Sequence, residues 1–227
     1  MSVLIESVQD FLTHIDKRNS TGILYRGQSD ANYKLIPALG RHADKCKSRG
    51  VNIYEREKNT LKIFEAEYCQ FTNVKCESTW ELLALAQHHG LPTRMLDWSL
   101  SPLVALFFAV NAVKACDAAV YILDDGKWIH SKESRDLDPL SLIETRVYMP
   151  KHVTTRLRAQ QGVFTIQPNI ESELDIPGIE KLTIPREKVK MIKWQLLTYG
   201  ISAKMIFPDI DGLCADMRFV QIEGFKD

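Results

Sequence analysis

Residues 101–113 read SPLVALFFAVNAV, a segment that is apolar nearly all round. Ser101 suits an N-cap and Pro102 a first helical position, so a helix is expected over residues 102–114. A helix without a polar face belongs deep in a core, so the other elements must cover it. The first half of the chain offers further helices. Ile5, Val8, Phe11, Leu12 and Ile15 recur at helical spacing and predict a helix over residues 2–16. Asn52 and Glu55 have capping-box spacing and open a second, with Tyr54, Leu61, Phe64, Tyr68 and Phe71 on one face. A third is expected over residues 79–89, stopped by Gly90 and Pro92. Ile23, Leu24 and Tyr25 suit a short buried strand ended by Gly27, and residues 28–50 read as irregular.

The second half changes character. Strands are expected over residues 118–123, 146–149, 162–167 and 181–184, with a D-D-G turn after the first and a polar surface loop over 130–140. A helix is expected over 186–198, stopped at Gly200. Helices dominate the first half and strands the second, without regular β-α alternation. The fold class expected is therefore α+β, a helical N-terminal half packed on a mixed or antiparallel sheet. No linker or repeat breaks the chain, so one domain is expected over 1–227, with its core over about 20–215.

Composition narrows the function. Lys plus Arg and Asp plus Glu number 29 each, so a polybasic nucleic-acid coat and an acidic tail are both excluded. No apolar run approaches the length of a membrane span. The N-terminus carries acidic residues and lacks a basic n-region, unlike a secretory signal. Five cysteines at wide spacings, without C-x-x-C, suit a reducing cytoplasmic setting. No metal-ligand spacing occurs.

Three clusters stand out. In Tyr25-Arg26-Gly27-Gln28, an Arg ends a short strand. Its planar fork suits a phosphate or a carboxylate, and an ion pair that holds the fold is an equal reading. Residues 88–99 bring His88, His89, Thr93, Arg94, Asp97, Trp98 and Ser99 between two apolar helices, a placement that favours a binding site. The alternatives are a capping role for His88 or His89, an ion pair of Asp97 with Arg94 or Arg26, and a core role for Trp98. In the third cluster, Arg156 and Arg158 precede Gln160-Gln161-Gly162. A Gln side chain both donates and accepts, so it can read an amide or a hydroxyl. Dinucleotide-binding, Walker A, nucleophile-elbow and H-E-x-x-H patterns are absent.

These motifs carry a resemblance. Y-R-G-Q at 25–28, Q-H-H-G-L-P-T-R-M-L-D-W-S at 87–99, S-P-L-V-A-L-F-F-A at 101–109, R-L-R-A-Q-Q-G-V-F at 156–164 and F-P-D-I-D-G-L at 207–213 resemble the FRG domain. More weakly, the order of parts is similar to an ADP-ribosyltransferase fold of the Arg-Ser-Glu type. Arg26 matches its strand Arg, Leu96-Asp97-Trp98-Ser99 stands in place of Ser-Thr-Ser, A-L-F-F-A matches its helix, and residues 118–123 match its next strand. The departures are that Leu96-Asp97-Trp98 is not Ser-Thr-Ser, and that Gln160-Gln161 stands where the fold carries a catalytic Glu.

The resemblance implies NAD as the nucleotide bound. Arg26 would contact the pyrophosphate, and Gln28, Arg94 and Ser99 would line the site. His89 or Thr93 would bond the ribose, Trp98 would wall the nicotinamide, Asp97 would stabilise developing positive charge, and Gln161 would replace the late-strand Glu. The activity implied is ADP-ribosyl transfer or NAD glycohydrolysis, with protein, nucleic acid or water as acceptor, in a microbial or phage-related toxin or defence effector. The alternative is a non-catalytic nucleotide or nucleic-acid binding module, with Arg26, Arg94, Arg156 and Arg158 forming a basic pocket. A third reading makes Arg26 and Asp97 a buried structural pair.

Overall fold

The computed structural model describes residues 3–18, 20–129, 133–151 and 155–224. Its centre is a seven-stranded mixed sheet in an α+β fold. In chain order the elements are β1 (Val3–Leu4), α1 (Val8–Ile15), β2 (Leu24–Gln28), α2 (Ala43–Lys47), α3 (Ile53–Glu67), α4 (Thr79–His88), β3 (Met95–Ser99), α5 (Pro102–Val110) and β4 (Ala118–Leu123). Then follow α6 (Glu133–Asp136), β5 (Arg146–Tyr148), α7 (Thr155–Gln160), β6 (Gly162–Ile166), β7 (Ile179–Ile184), α8 (Arg186–Thr198), α9 (Ala203–Ile206) and α10 (Ile210–Arg218). The strand order is β1-β7-β4-β2-β3-β6-β5. Among the strand pairs of the described residues, β1–β7 is parallel and the others are antiparallel.

The apolar segment after Ser101 forms α5. Ser101 accepts from the Val104 N–H, Pro102 takes the first turn, and Val104, Ala105, Leu106, Phe107, Ala109 and Val110 are buried. The helix ends at Val110 with Asn111 as its C-cap, earlier than expected. Around it pack α1, α8 and one face of the sheet, through Phe11, Val120, Ile122, Leu182, Ile192 and Leu196. Beside them α4 covers the same face over β3 and β6, where Trp80 and Leu83 meet Met95, Phe164 and Ile166. The opposite face carries Leu24, Leu96, Trp98, Tyr121 and Val163, covered by Leu35 and Leu174 from irregular segments.

Three expectations shift. The helix expected over 2–16 is shortened: Val3 and Leu4 pair with Leu182 and Thr183. Ser7 then caps α1, accepting from the Asp10 N–H at 3.0 Å; Ser2 lies outside the described residues. An apolar stripe entering a sheet edge has the same residue types as one entering a helix, so periodicity alone did not separate them. Gly27 does not end β2, which runs on through Gln28 in register with β4. The loop expected over 130–140 contains the single turn α6, and residues 130–132 lie outside the described residues.

The sheet has one internal discontinuity. β2 pairs with β4 over five residues, and β3 with β6 over five, yet β2 and β3 meet only at Tyr25 and Ser99. Beyond that pair the two strands diverge, and the sheet opens through its middle.

Candidate functional site

Backbone groups along an opened strand must find other partners. In β3 these partners are side chains. The Met95 N–H donates to Thr93 Oγ1 at 3.1 Å, and Gln87 Nε2 donates to the Met95 carbonyl at 3.4 Å. Arg26 Nη1 donates to the Asp97 carbonyl. Thr93 in turn donates its hydroxyl to Gln87 Oε1 at 2.8 Å. Arg26, Gln87 and Thr93 thus take up the Met95 N–H and the Met95 and Asp97 carbonyls on the edge that β2 leaves.

The opening widens into a cleft of about 340 Å³, at the lower end of the size range of small-molecule sites. All three sequence clusters reach it. β2 supplies Tyr25, Arg26 and Gly27; β3 supplies Asp97, Trp98 and Ser99; α7 and β6 supply Arg156, Gln160, Gly162 and Phe164. Gln87 from α4, and Ala105 and Phe108 from α5, complete the wall. Phe108 is only partly buried, between the buried Phe107 and Ala109 of α5. Gly27 makes the close approach of β2 to α5 workable: a Cβ there would lie 1.9 Å from the Ala105 carbonyl oxygen and 2.5 Å from the Ala109 nitrogen.

Asp97 and Arg26 share this cleft. The Asp97 side chain is 59 % exposed and Arg26 only 14 %. Arg26 Nη1 lies 3.7 Å from Asp97 Oδ2, and Gln87 Nε2 is within 3.2 Å of both carboxylate oxygens. An exposed carboxylate is therefore held in place by a neutral amide on one side and a cation on the other. Burial pushes the Arg26 guanidinium below its usual value, and the Asp97 charge opposes that shift. The cleft's second cation is Arg156, exposed on α7, with its guanidinium 4.6 Å over the Phe207 ring. His88 lies near enough to feel it: burial first, then His89 and Arg156, lower the His88 imidazole below its ordinary value.

Other residues expected at the site are placed elsewhere. Arg94 is buried and forms a bidentate pair with Glu57, Nε–Oε1 2.9 Å and Nη2–Oε2 2.5 Å, while Nη1 donates to the Pro139 carbonyl at 2.9 Å. With every arm engaged in the core, it is a structural residue and not part of the cleft. Thr93 is buried too, with its hydroxyl both accepting and donating as described. Trp98 reaches the cleft wall, but alternation along β3 turns its indole to the face opposite Asp97 and Ser99. There it is buried, with Nε1 donating to Thr165 Oγ1 at 2.9 Å, so the expected nicotinamide wall is a core residue.

Ser99 lines the cleft, but its hydroxyl donates to the Gln160 carbonyl at 2.7 Å and accepts from the Ser101 N–H at 3.0 Å. His89 caps α4 at its exposed end, outside the cleft lining. Gln161 is exposed, at φ +45°, in the turn from α7 into β6. That left-handed turn points Gln160, not Gln161, to the cleft. Arg158 is exposed and also outside the lining.

Sequence reasoning missed Gln87 as a site residue. A polar amide in the last turn of the apolar helix α4 was the signal available. The C-terminal F-P-D-I-D-G stretch is explained locally. Asp209 caps α10, accepting from the Gly212 N–H at 2.9 Å, and a Cβ at Gly212 would lie 2.0 Å from the Phe207 carbonyl oxygen. Among the described residues no His, Cys, Asp and Glu grouping could hold a metal ion, and no helix is long and apolar enough to cross a membrane.

The molecule is thus an α+β protein whose central sheet splits into a cleft lined by charged, amide and apolar side chains. Residues 21–118 match the family model of the FRG domain, and this stretch carries an FRG domain. The match contains β2, α4, β3 and α5, which supply most of the cleft. The third cluster and the F-P-D-I-D-G stretch lie beyond it. No curated protein matches the chain, and no solved structure matches it.

Proposed function

We propose that the cleft binds NAD and that Asp97 supports cleavage of the bond between nicotinamide and ribose, as ADP-ribosyl transfer or NAD glycohydrolysis. The observation that carries this reading is the convergence of Arg26, Arg156 and Asp97 in one cleft. Arg156 is the accessible cation and contacts the diphosphate. Arg26 positions Asp97 by holding its backbone carbonyl, and adds positive potential. NAD supplies a glycosidic bond whose cleavage leaves positive charge on the ribose. A fixed carboxylate stabilises such charge because it needs no reorganisation as the charge develops. Gln87 keeps Asp97 in that position. The acceptor that replaces nicotinamide is water or a nucleophile of a protein or nucleic acid. An activity of this kind suits a toxin or defence effector.

A second reading, a non-catalytic nucleotide-binding module, is favoured by one observation. The Ser99, Thr93 and Gln87 side chains are all engaged in internal hydrogen bonds, which makes them parts of the cleft's frame and leaves few side chains free to act on a bound nucleotide. Both readings predict that Arg156→Ala weakens NAD binding by about tenfold. The variant should leave stability within about 0.5 kcal/mol of the parent, as for an exposed side chain. Titration calorimetry with NAD measures the first and thermal unfolding the second. Unchanged affinity would remove Arg156 from the site. Raising salt should weaken NAD binding modestly; a steep decline would point to nucleic acid as the ligand.

A further inference from the structure

Gln28 ends β2 and is 5 % exposed. Its Nε2 and Oε1 are both buried without a hydrogen-bond partner among the described residues. Two positions earlier on the same face of the strand, Arg26 Nε is buried and equally unpartnered. Buried polar groups are almost always paired, because leaving one unpaired forfeits its bond to water. Three unpartnered atoms along one strip of β2 therefore call for a polar occupant. The strip lies where β2 has already parted from β3, and Arg26 itself lines the cleft. Across β2 the residue in register with Gln28 is Ala119, which contributes only a methyl group.

We propose that Gln28 reads an amide-like edge of the ligand, a donor beside an acceptor, admitted through the split between β2 and β3. A primary amide offers an N–H and a carbonyl side by side, so its complement is an edge with the same pair reversed. Such an edge exists as the carboxamide of nicotinamide and as the amino group beside a ring nitrogen of adenine. This assignment rests on the reading of the cleft as an NAD site and adds to it the group that selects the ligand's ring.

Titration calorimetry with NAD and with ADP-ribose, on the parent and on Gln28→Met, tests it. The variant removes two unsatisfied polar atoms at similar volume, so its Tm should equal or exceed that of the parent. Its affinity for NAD should fall about tenfold or more. ADP-ribose keeps adenine and lacks nicotinamide. A parallel loss for ADP-ribose assigns the edge to adenine, and an unchanged affinity assigns it to the nicotinamide carboxamide. Unchanged NAD affinity overturns the proposal, and a lowered Tm beside it would give Gln28 to a structural water. A parent protein that binds neither ligand overturns the NAD reading and this proposal together. If Gln28→Met does not fold, Gln28→Asn, which keeps the amide but withdraws it by one methylene, carries the same comparison.

Discussion

Gly27→Ala is expected to destabilise the protein by about 3 kcal/mol and to lower Tm by roughly 10 °C. The added methyl would lie 1.9 Å from the Ala105 carbonyl oxygen and 2.5 Å from the Ala109 nitrogen. Both are backbone atoms of α5, so no side chain can rotate away, and the helix must retreat from β2. Gly27, Ala105 and Phe108 all line the cleft, so the folded fraction should also bind ligand less well. Gly162→Ala is the control in the same cleft. Its Cβ would meet the Leu157 Cδ2 at 3.4 Å, a contact that a flexible side chain can relieve, and the cost should stay under about 1 kcal/mol. Urea unfolding of both variants checks the contrast. Equal stabilities would show that the approach of β2 to α5 is not fixed by this glycine.

Arg94→Met is expected to cost about 3–5 kcal/mol, because it strands the buried Glu57 carboxylate without its partner. The Pro139 carbonyl would also lose its donor, loosening the segment that α4 holds through the bond from Trp80 Nε1 to the Leu137 carbonyl at 2.7 Å. Adding Glu57→Leu should recover much of the loss, since an apolar replacement of both partners leaves no buried charge. A double-mutant cycle by denaturant unfolding measures this. Recovery in the double variant with ligand binding retained would fix Arg94 as a structural residue. A single variant as stable as the parent would contradict the buried pair.

Much of this architecture is readable in the residues, and the misses share a cause. Ser101, Pro102 and an apolar run were sufficient for α5, because capping and burial are local and compositional properties. Asn52 opened α3 as its spacing predicts, accepting from the N–H groups of Tyr54 and Glu55. The three polar clusters were legible as clusters. Which members face the cleft was not. Residues 95–99 form a strand, so Leu96 and Trp98 point one way and Asp97 and Ser99 the other. A cluster placed only between two helices does not carry that alternation. Arg94 turns inward because Glu57 waits for it 37 residues earlier, and nothing near Arg94 in sequence signals that partner. The αL turn at Gln161 exchanged the expected Gln161 for Gln160 by rotating the chain one residue before β6. The split between β2 and β3 is a matter of tertiary pairing, visible only once both strands have their outer partners, β4 and β6.

We propose Asp97 as the working carboxylate of an NAD-cleaving cleft. Incubating the protein and its Asp97→Asn variant with nicotinamide-labelled NAD, and following release of free nicotinamide, tests it most directly. The carboxylate is 59 % exposed, so the variant should fold with a stability within about 1 kcal/mol of the parent. The parent should release nicotinamide and the variant should do so about 10²–10³ more slowly, the scale on which one preorganised charge-stabilising group acts. Release at equal rates from both proteins, or none from the parent, would contradict it.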